Sequence, residues 1–239
     1  MPLAFQLFGP AHLAALALIV ILPLALALAV RRWPSSGLDR GVANTAAAVL
    51  ILNKIAVLIL SHKQGALDLQ NALPMHLCDW ATIATILALV GRWQLPYEMA
   101  YFWGLAGTLQ AILTPDIEGD FSDLAVMLFF VAHGGVIASV LYLTLGLRMR
   151  PRRGSVLRIF AWTLVYAVAT GAVNALVGAN YGYLRAKPEH PSLLDHLGPW
   201  PIYIASMMVL ACALFSVLYG PFLVADKIRK PGAGAAPSP

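Results

Sequence analysis

Residues 73–80 read Leu-Pro-Met-His-Leu-Cys-Asp-Trp, placing an imidazole, a thiol and a carboxylate side by side where a long apolar stretch begins. A second histidine, His133, stands inside another apolar run and is followed by Gly134 and Gly135. A cysteine with a histidine base is a competent acyl-transfer nucleophile, because the imidazole removes the proton that holds sulfur in its less reactive form. Spacing limits the pairing. On a regular helix His76 and Asp79 share a face, whereas Cys78 lies about 200° around from His76. The base for Cys78 is therefore expected from another segment, with His133 the candidate and His76 the alternative if the segment is not regular helix. Zinc accepts the same residue types. The His-x-Cys spacing is poor for two ligands from one helix, however, and neither His-Glu-x-x-His nor Cys-x-x-Cys occurs, so no metal and no cofactor are expected.

The elements that position these groups follow from composition. Of 239 residues 60% are hydrophobic and 11% charged, with a mean hydropathy of +0.76. Soluble domains are about half apolar and a quarter charged, so the chain is expected to be an all-α, polytopic membrane protein. A spanning helix needs about 20 mostly apolar residues. Seven stretches qualify, near 11–30, 42–61, 74–90, 97–114, 121–147, 156–178 and 200–224. Their apolar runs are continuous and rich in Leu and Ala, where the strands of a barrel would alternate. Residues 1–230 are expected to form one seven-helix domain, and 231–239, all Pro, Gly, Ala and Ser, a disordered tail.

Lysine and arginine collect on the cytoplasmic side of membrane proteins. Twelve of the sixteen basic residues follow the first, third, fifth and seventh stretches: Arg31, Arg32, Arg40, Arg92, Arg148, Arg150, Arg152, Arg153, Arg158, Lys227, Arg229 and Lys230. The opposite side carries Asp116, Glu118, Asp120 and Asp123 without a base. The N-terminus is thus expected outside and the C-terminus cytoplasmic, in a multi-pass protein of the cell inner (plasma) membrane. The same distribution accounts for the formal charge of +5, so membrane lipids are the expected partners and nucleic acid is not. The first stretch lacks a basic leader and reads as an uncleaved helix. The two cysteines, Cys78 and Cys212, lie within apolar stretches and imply no disulfide framework. No internal repeat is evident, and nothing sets the oligomeric state.

Depth along each stretch, at about 1.5 Å per residue, brings polar side chains from five stretches to one half of the membrane, the outer. They are Asn53 and Lys54; His76, Cys78 and Asp79; Gln110; His133; and Asn174, with Asn180 and Tyr181 just beyond. Polar groups at such depth face a bundle interior or a water-filled cavity, so a polar cavity open to the outer side is expected. Plainer roles compete. Lys54 and Asp79 could be a buried ion pair joining two helices, and Asn53, Gln110 and Asn174 could be interhelical hydrogen bonds worth about 0.6–2 kcal/mol. Cys212 is expected to pack as a small hydrophobe. His12, His190 and His196 are expected at the interface or in solvated loops, and the tryptophans as anchors or packing.

The segment around Cys78, His133, and the run from Asn174 through Asn180-Tyr181-Gly182-Tyr183-Leu184 to Lys187-Pro188 and Gly198-Pro199-Trp200-Pro201 resemble the YwaF family of integral membrane proteins. The resemblance covers about residues 40–220. An animal branch of that family is regarded as a phospholipid acyltransferase using a membrane cysteine and histidine. The resemblance implies Cys78 as nucleophile, His133 or His76 as base, and acyl transfer between phospholipids or lysophospholipids through a cysteine thioester. Asn174 and Asn180 amides or backbone N–H groups would then stabilise the oxyanion. Tyr181, Tyr183, Arg185 and Lys187 would lie near the headgroup, with Lys54, Asp79 and Gln110 also lining the substrate site. The alternative is a transporter or substrate-binding membrane component for a polar solute, using Lys54, Asp79, His76 and His133.

Overall fold

Where a chain lies in hydrocarbon, each backbone N–H and C=O must find its partner within the segment, and the helix satisfies this for a continuous apolar run. A computed structural model of the chain describes residues 5–115, 117, 119–188 and 192–228. Asp116, Glu118, His190, Arg229, Lys230 and the 231–239 tail lie outside the described residues. Helix α1 spans Pro10–Arg32, α2 Ser36–Lys63 and α3 Leu77–Gly91. Helix α4, Gln94–Trp103, continues through a π-helical turn at Gly104–Thr108 into α5, Leu109–Leu113. Helix α6, Leu124–Leu141, ends in a second π turn at Tyr142–Gly146, followed by α7, Ser155–Val177, and α8, Ile202–Ile228. Among the described residues there is no strand.

Among the described residues, five helices are long and apolar enough to cross a membrane: Pro10–Arg32, Gly37–Lys63, Leu124–Gly146, Ser155–Val177 and Ile202–Ile228. The third expected segment is shorter than its apolar run. Helix starts at Leu77 and not at Pro74, because His76 adopts extended backbone (φ −73°, ψ 151°) and serves as the N-cap. Fifteen residues make about 22 Å of helix against a hydrocarbon core of about 30 Å. The fourth segment runs from Gln94 to Leu113 but is broken by its π turn.

Local signals explain the ends. The Ser35 hydroxyl accepts the Leu38 N–H at the start of α2, and the Asp123 carboxylate accepts the Ala125 N–H at the start of α6, each satisfying an orphan donor. Gly154 and Gly178 bracket α7 with φ of +73° and +71°, a conformation costly for residues with a Cβ. Small residues then draw the helices together. Ala81, Ala84 and Ala88 of α3 are buried in a core with Tyr97, Phe102, Trp103 and Val140. Cβ atoms added at Gly134 and Gly135 would lie 2.6 Å from Ile19 Cδ1 and 2.9 Å from Leu50 Cδ2, so α6 fits closely against α1 on one side and α2 on the other.

The two ends of the bundle differ. At the end carrying the short 147–154 loop, Glu98 is fully buried and receives Arg152 Nε at 2.9 Å and Arg158 Nη1 at 2.7 Å. Arg150 meets Asp226 at 2.8 Å and Arg92 meets Asp39 at 3.5 Å at the same end. The Glu98 contact also raises the Arg152 guanidinium above its usual range. The opposite end carries the longer connections 64–76, 114–123 and 178–201. There the Ser122 hydroxyl and amide hold the exposed Asp120 carboxyl below the usual carboxylate range. Outward-facing Leu, Val and Ile, such as Leu176 at 85% exposure, cover the sides, as expected of surface in contact with lipid.

Candidate functional site

A cavity of about 310 Å³ opens between α2, α3, α6 and the first π turn, in the half of the bundle away from the Glu98 cluster. Ligand pockets begin at about 300 Å³. Its wall combines apolar side chains with Asn53 and Lys54 from α2, Cys78, Asp79 and Thr82 from α3, Thr108 from the π turn, and Phe129 and His133 from α6. Ser61 and Gln64 line it at the end of α2. Cys78 and His133, 55 residues apart in sequence, therefore share one cavity.

His133 Nδ1 lies 2.9 Å from the carbonyl oxygen of Phe129, one turn earlier on α6. A carbonyl only accepts, so Nδ1 carries the proton and Nε2 keeps the free lone pair of the neutral ring. The Phe129 ring covers one side of the imidazole, with centroids 4.1 Å apart. Cys78 occupies the first turn of α3. Thr82 anchors this turn by donating its hydroxyl to the Cys78 carbonyl at 2.7 Å. Lys54 Nζ donates to Asp79 Oδ1 at 2.5 Å, and Asp79 Oδ2 accepts the His76 N–H at 3.2 Å. Asp79 thus neutralises Lys54 and closes the start of the helix at once. A thiol and an imidazole with a free Nε2, in a cavity of mixed polarity, have the group types needed for nucleophilic attack on a carbonyl.

The other expected site residues do not line this cavity. His76 turns away from it and packs edge-on against Tyr181, centroids 5.1 Å apart, with the Gly182 N–H 3.5 Å from Nδ1. Asn174 is fully buried, and its amide is spent on one residue: Nδ2 donates to the Tyr181 carbonyl at 2.9 Å and Oδ1 accepts the Tyr181 N–H at 2.8 Å. The Tyr181 hydroxyl donates to the Leu69 carbonyl at 3.0 Å and accepts the Leu73 N–H at 2.9 Å. Asn180 closes its own loop on Arg185 and Ala186, while Arg185 caps α7 at the Asn174 and Ala179 carbonyls. Lys187 lies over the Tyr203 ring at 5.6 Å. Gln110 is exposed and bonds Thr114. These residues tie the 178–187 segment to the 64–76 segment as a strap beside α3. Asn174, Asn180, Tyr181 and Arg185, expected at the oxyanion and the headgroup, thus hold hydrogen bonds within the protein, and Lys187 a ring contact.

His12 also differs from expectation. It is buried at 1% exposure, with Nε2 donating to the Ile112 carbonyl at 2.7 Å, so it joins α1 to α5. His196 keeps an exposed place in a short turn at Leu193–Leu197, and Cys212 sits on α8 away from the cavity. Asn53 was expected to bond another helix, but no hydrogen bond reaches its buried Oδ1. Thr108 carries no sequence signal beyond the small residues just before it, Gly104, Ala106 and Gly107. Those small residues were the available hint of a close helix approach.

Residues 7–219 match the TMEM164 family. An uncharacterized protein of Treponema pallidum (strain Nichols) is 28% identical over 219 residues, which is 91% of this chain and 90% of that protein. No solved structure matches the chain.

Proposed function

As the chain belongs to the TMEM164 family, a membrane protein with several apolar helices, we propose that it is a lipid acyltransferase working through a thioester on Cys78. The observation that carries this reading is the shared cavity of Cys78 and His133, with His133 Nδ1 bonded to Phe129 and Nε2 left to act as base. The resemblance to the YwaF family read from the sequence points the same way.

In this mechanism His133 Nε2 takes the Cys78 proton and the sulfur adds to the carbonyl carbon of a phospholipid ester. The carbonyl π electrons move to oxygen. On collapse the C–O ester bond breaks, the leaving alkoxide takes the proton from His133, and a lysophospholipid departs from the acyl-thioester. An acceptor alcohol then gives its proton to His133, adds to the thioester carbon and expels the Cys78 thiolate, which is reprotonated. The same imidazole serves as base and acid in both halves.

The topology that accompanies this reading has seven membrane helices, the shorter α3 and the α4–α5 rod included, with the N-terminus outside, the C-terminus cytoplasmic and the cavity in the outer half of the inner (plasma) membrane. The cluster of Arg150, Arg152 and Arg158 at the opposite end supports it. A cysteine introduced at Asp68 should react with a membrane-impermeant maleimide from outside, and one at Arg153 should not. The reverse pattern would invert the topology.

Reconstitution in phospholipid vesicles tests the chemistry. Intact-mass measurement should find an added acyl group that is lost in Cys78→Ala, together with acyl exchange between lipids. Full exchange by Cys78→Ala would rule out the thioester. A transporter for a polar solute is the second reading, favoured by the Lys54–Asp79 pair on the cavity wall. Uptake that survives Cys78→Ala but fails in Lys54→Met or Asp79→Asn would select it.

A further inference from the structure

Most buried or half-buried threonine hydroxyls of this bundle satisfy themselves against the carbonyl four residues earlier. Thr82 donates to Cys78, Thr85 to Ala81, Thr144 to Val140 and Thr163 to Ile159. Thr108 does not. Its hydroxyl oxygen is buried without a partner, as is Oδ1 of Asn53, and the two residues are 3% and 7% exposed. Both line the cavity that holds Cys78 and His133. A buried polar group left unpaired costs about 1–3 kcal/mol, and both of these belong to residues of one cavity wall: the Thr108 hydroxyl keeps a proton to donate, whereas Asn53 Oδ1 can only accept, so a donor role for Asn53 falls to its Nδ2.

Their place in the fold says which ligand group they would meet. The π turn at Gly104–Thr108 enters between the two reactive helices: a Cβ at Gly107 would lie 3.5 Å from Leu77, next to Cys78, and one at Gly104 would lie 3.0 Å from Val136, one turn beyond His133. Thr108 therefore stands between the turn bearing the thiol and the turn bearing the imidazole. Asn53 lies one turn along α2 from Leu50, which abuts Gly135 of α6, so it approaches the His133 level from the remaining side. Lys54 is already paired with Asp79, and the Asn174 amide is occupied by Tyr181.

Resting on the acyl-transfer reading, we infer that the Asn53 amide and the Thr108 hydroxyl hold the acyl carbonyl oxygen and stabilise the oxyanion formed when the Cys78 sulfur adds to it. The Nδ2–H and Oγ1–H donate to that oxygen as the carbonyl π electrons move onto it, and they release it to the neutral carbonyl when the alkoxide leaves. Asn53 Oδ1 remains available to accept from a hydroxyl of the glycerol portion of the substrate. The π turn is then the device that frees Thr108: it diverts the hydroxyl from a bond to its own helix and presents it to the cavity.

The test separates oxyanion stabilisation from general damage by comparing two reactions of the same sulfur. Acylation by a phospholipid ester passes through a tetrahedral oxyanion, whereas alkylation by iodoacetamide does not. In the full-length protein reconstituted in phosphatidylglycerol/phosphatidylcholine vesicles, both rates at Cys78 are followed by intact mass for wild type, Asn53→Leu, Thr108→Val and Thr108→Ser. Each apolar variant is expected to acylate about 10²–10³-fold more slowly, the range typical of a lost oxyanion donor, with its alkylation rate within twofold of wild type. Thr108→Ser should restore acylation to within about tenfold of wild type. Acylation at the wild-type rate in both apolar variants overturns the inference and leaves the thioester reading standing. Equal slowing of acylation and alkylation also overturns it, since that is the mark of a collapsed cavity. A wild type that is alkylated but never acylated removes the thioester reading, and this inference with it.

Discussion

The two sides of the first turn of α3 are built from the same residue types and do different things. On the cavity side, Cys78 shares a space with His133, Asn53 and Thr108; the Phe129 bond leaves His133 Nε2 over, and Asn53 Oδ1 and the Thr108 hydroxyl are buried without a partner. On the strap side, His76, Asn174, Tyr181 and Asn180 are bonded to backbone groups or packed on rings. Satisfied polar groups hold chain segments in place, whereas unsatisfied ones in a cavity are available to a ligand. Two histidines, three asparagines and a thiol thus differ in what their hydrogen bonds already reach.

The sharpest division of the two sides is at the nucleophile. Cys78→Ala should reduce acyl exchange in vesicles to background while leaving the thermal midpoint of the detergent-purified protein nearly unchanged, since little volume is lost at a cavity wall. Next, His133→Gln should slow acyl exchange by about 10²–10⁴-fold, the contribution of a general base, with Cys78 still present by mass. Retention of full exchange in this variant would remove the base from the cavity side.

The strap side should answer in stability. Asn174→Leu removes two hydrogen bonds of a fully buried amide and strands the Tyr181 backbone groups, at a cost of about 2–4 kcal/mol. The thermal midpoint should fall, while exchange per folded molecule stays within about threefold of wild type. His76→Ala should lose about 1 kcal/mol with its ring packing and keep most activity. A loss matching that of His133→Gln would move His76 to the chemical side and break the comparison. Gln110→Ala, an exposed site, should change stability by less than about 0.5 kcal/mol and leave exchange unaltered.

Some of this division was legible in the residues. The two-residue separation of His76 and Cys78 implies opposite directions on a helix, and they do diverge, although for a different reason: His76 precedes the helix as its N-cap. Gly134-Gly135 after His133 signals close helix approach, and both glycines meet neighbouring helices. The clustering of polar residues toward one half correctly marks where a cavity lies. It does not mark which members reach it, because an asparagine facing a backbone carbonyl and one facing empty volume look the same in sequence. Asn53 and Asn174 were given the same plain role, Asn174 with a substrate-site role besides; the Asn174 amide is bonded to Tyr181, whereas Asn53 Oδ1 has no partner. The π turn was not legible either: one extra residue in a helical turn leaves no pattern in the Gly104–Thr108 composition, yet that turn carries Thr108 on the cavity wall.

By itself the sequence determined that this is a helical membrane protein, and where its charge and polarity collect. Continuous apolar runs admit few other structures in hydrocarbon. It also singled out the Cys78 segment and His133, because ionisable groups in such runs are costly and seldom incidental. Only the tertiary structure decided that Cys78 and His133 share one cavity, that Asp79 bonds Lys54 and the start of α3, and that the Asn174 amide bonds Tyr181. The physical reason is that availability for chemistry depends on which hydrogen bonds remain unmade after packing, and those partners come from residues more than a hundred positions away in the chain, as Tyr181 is from Leu69.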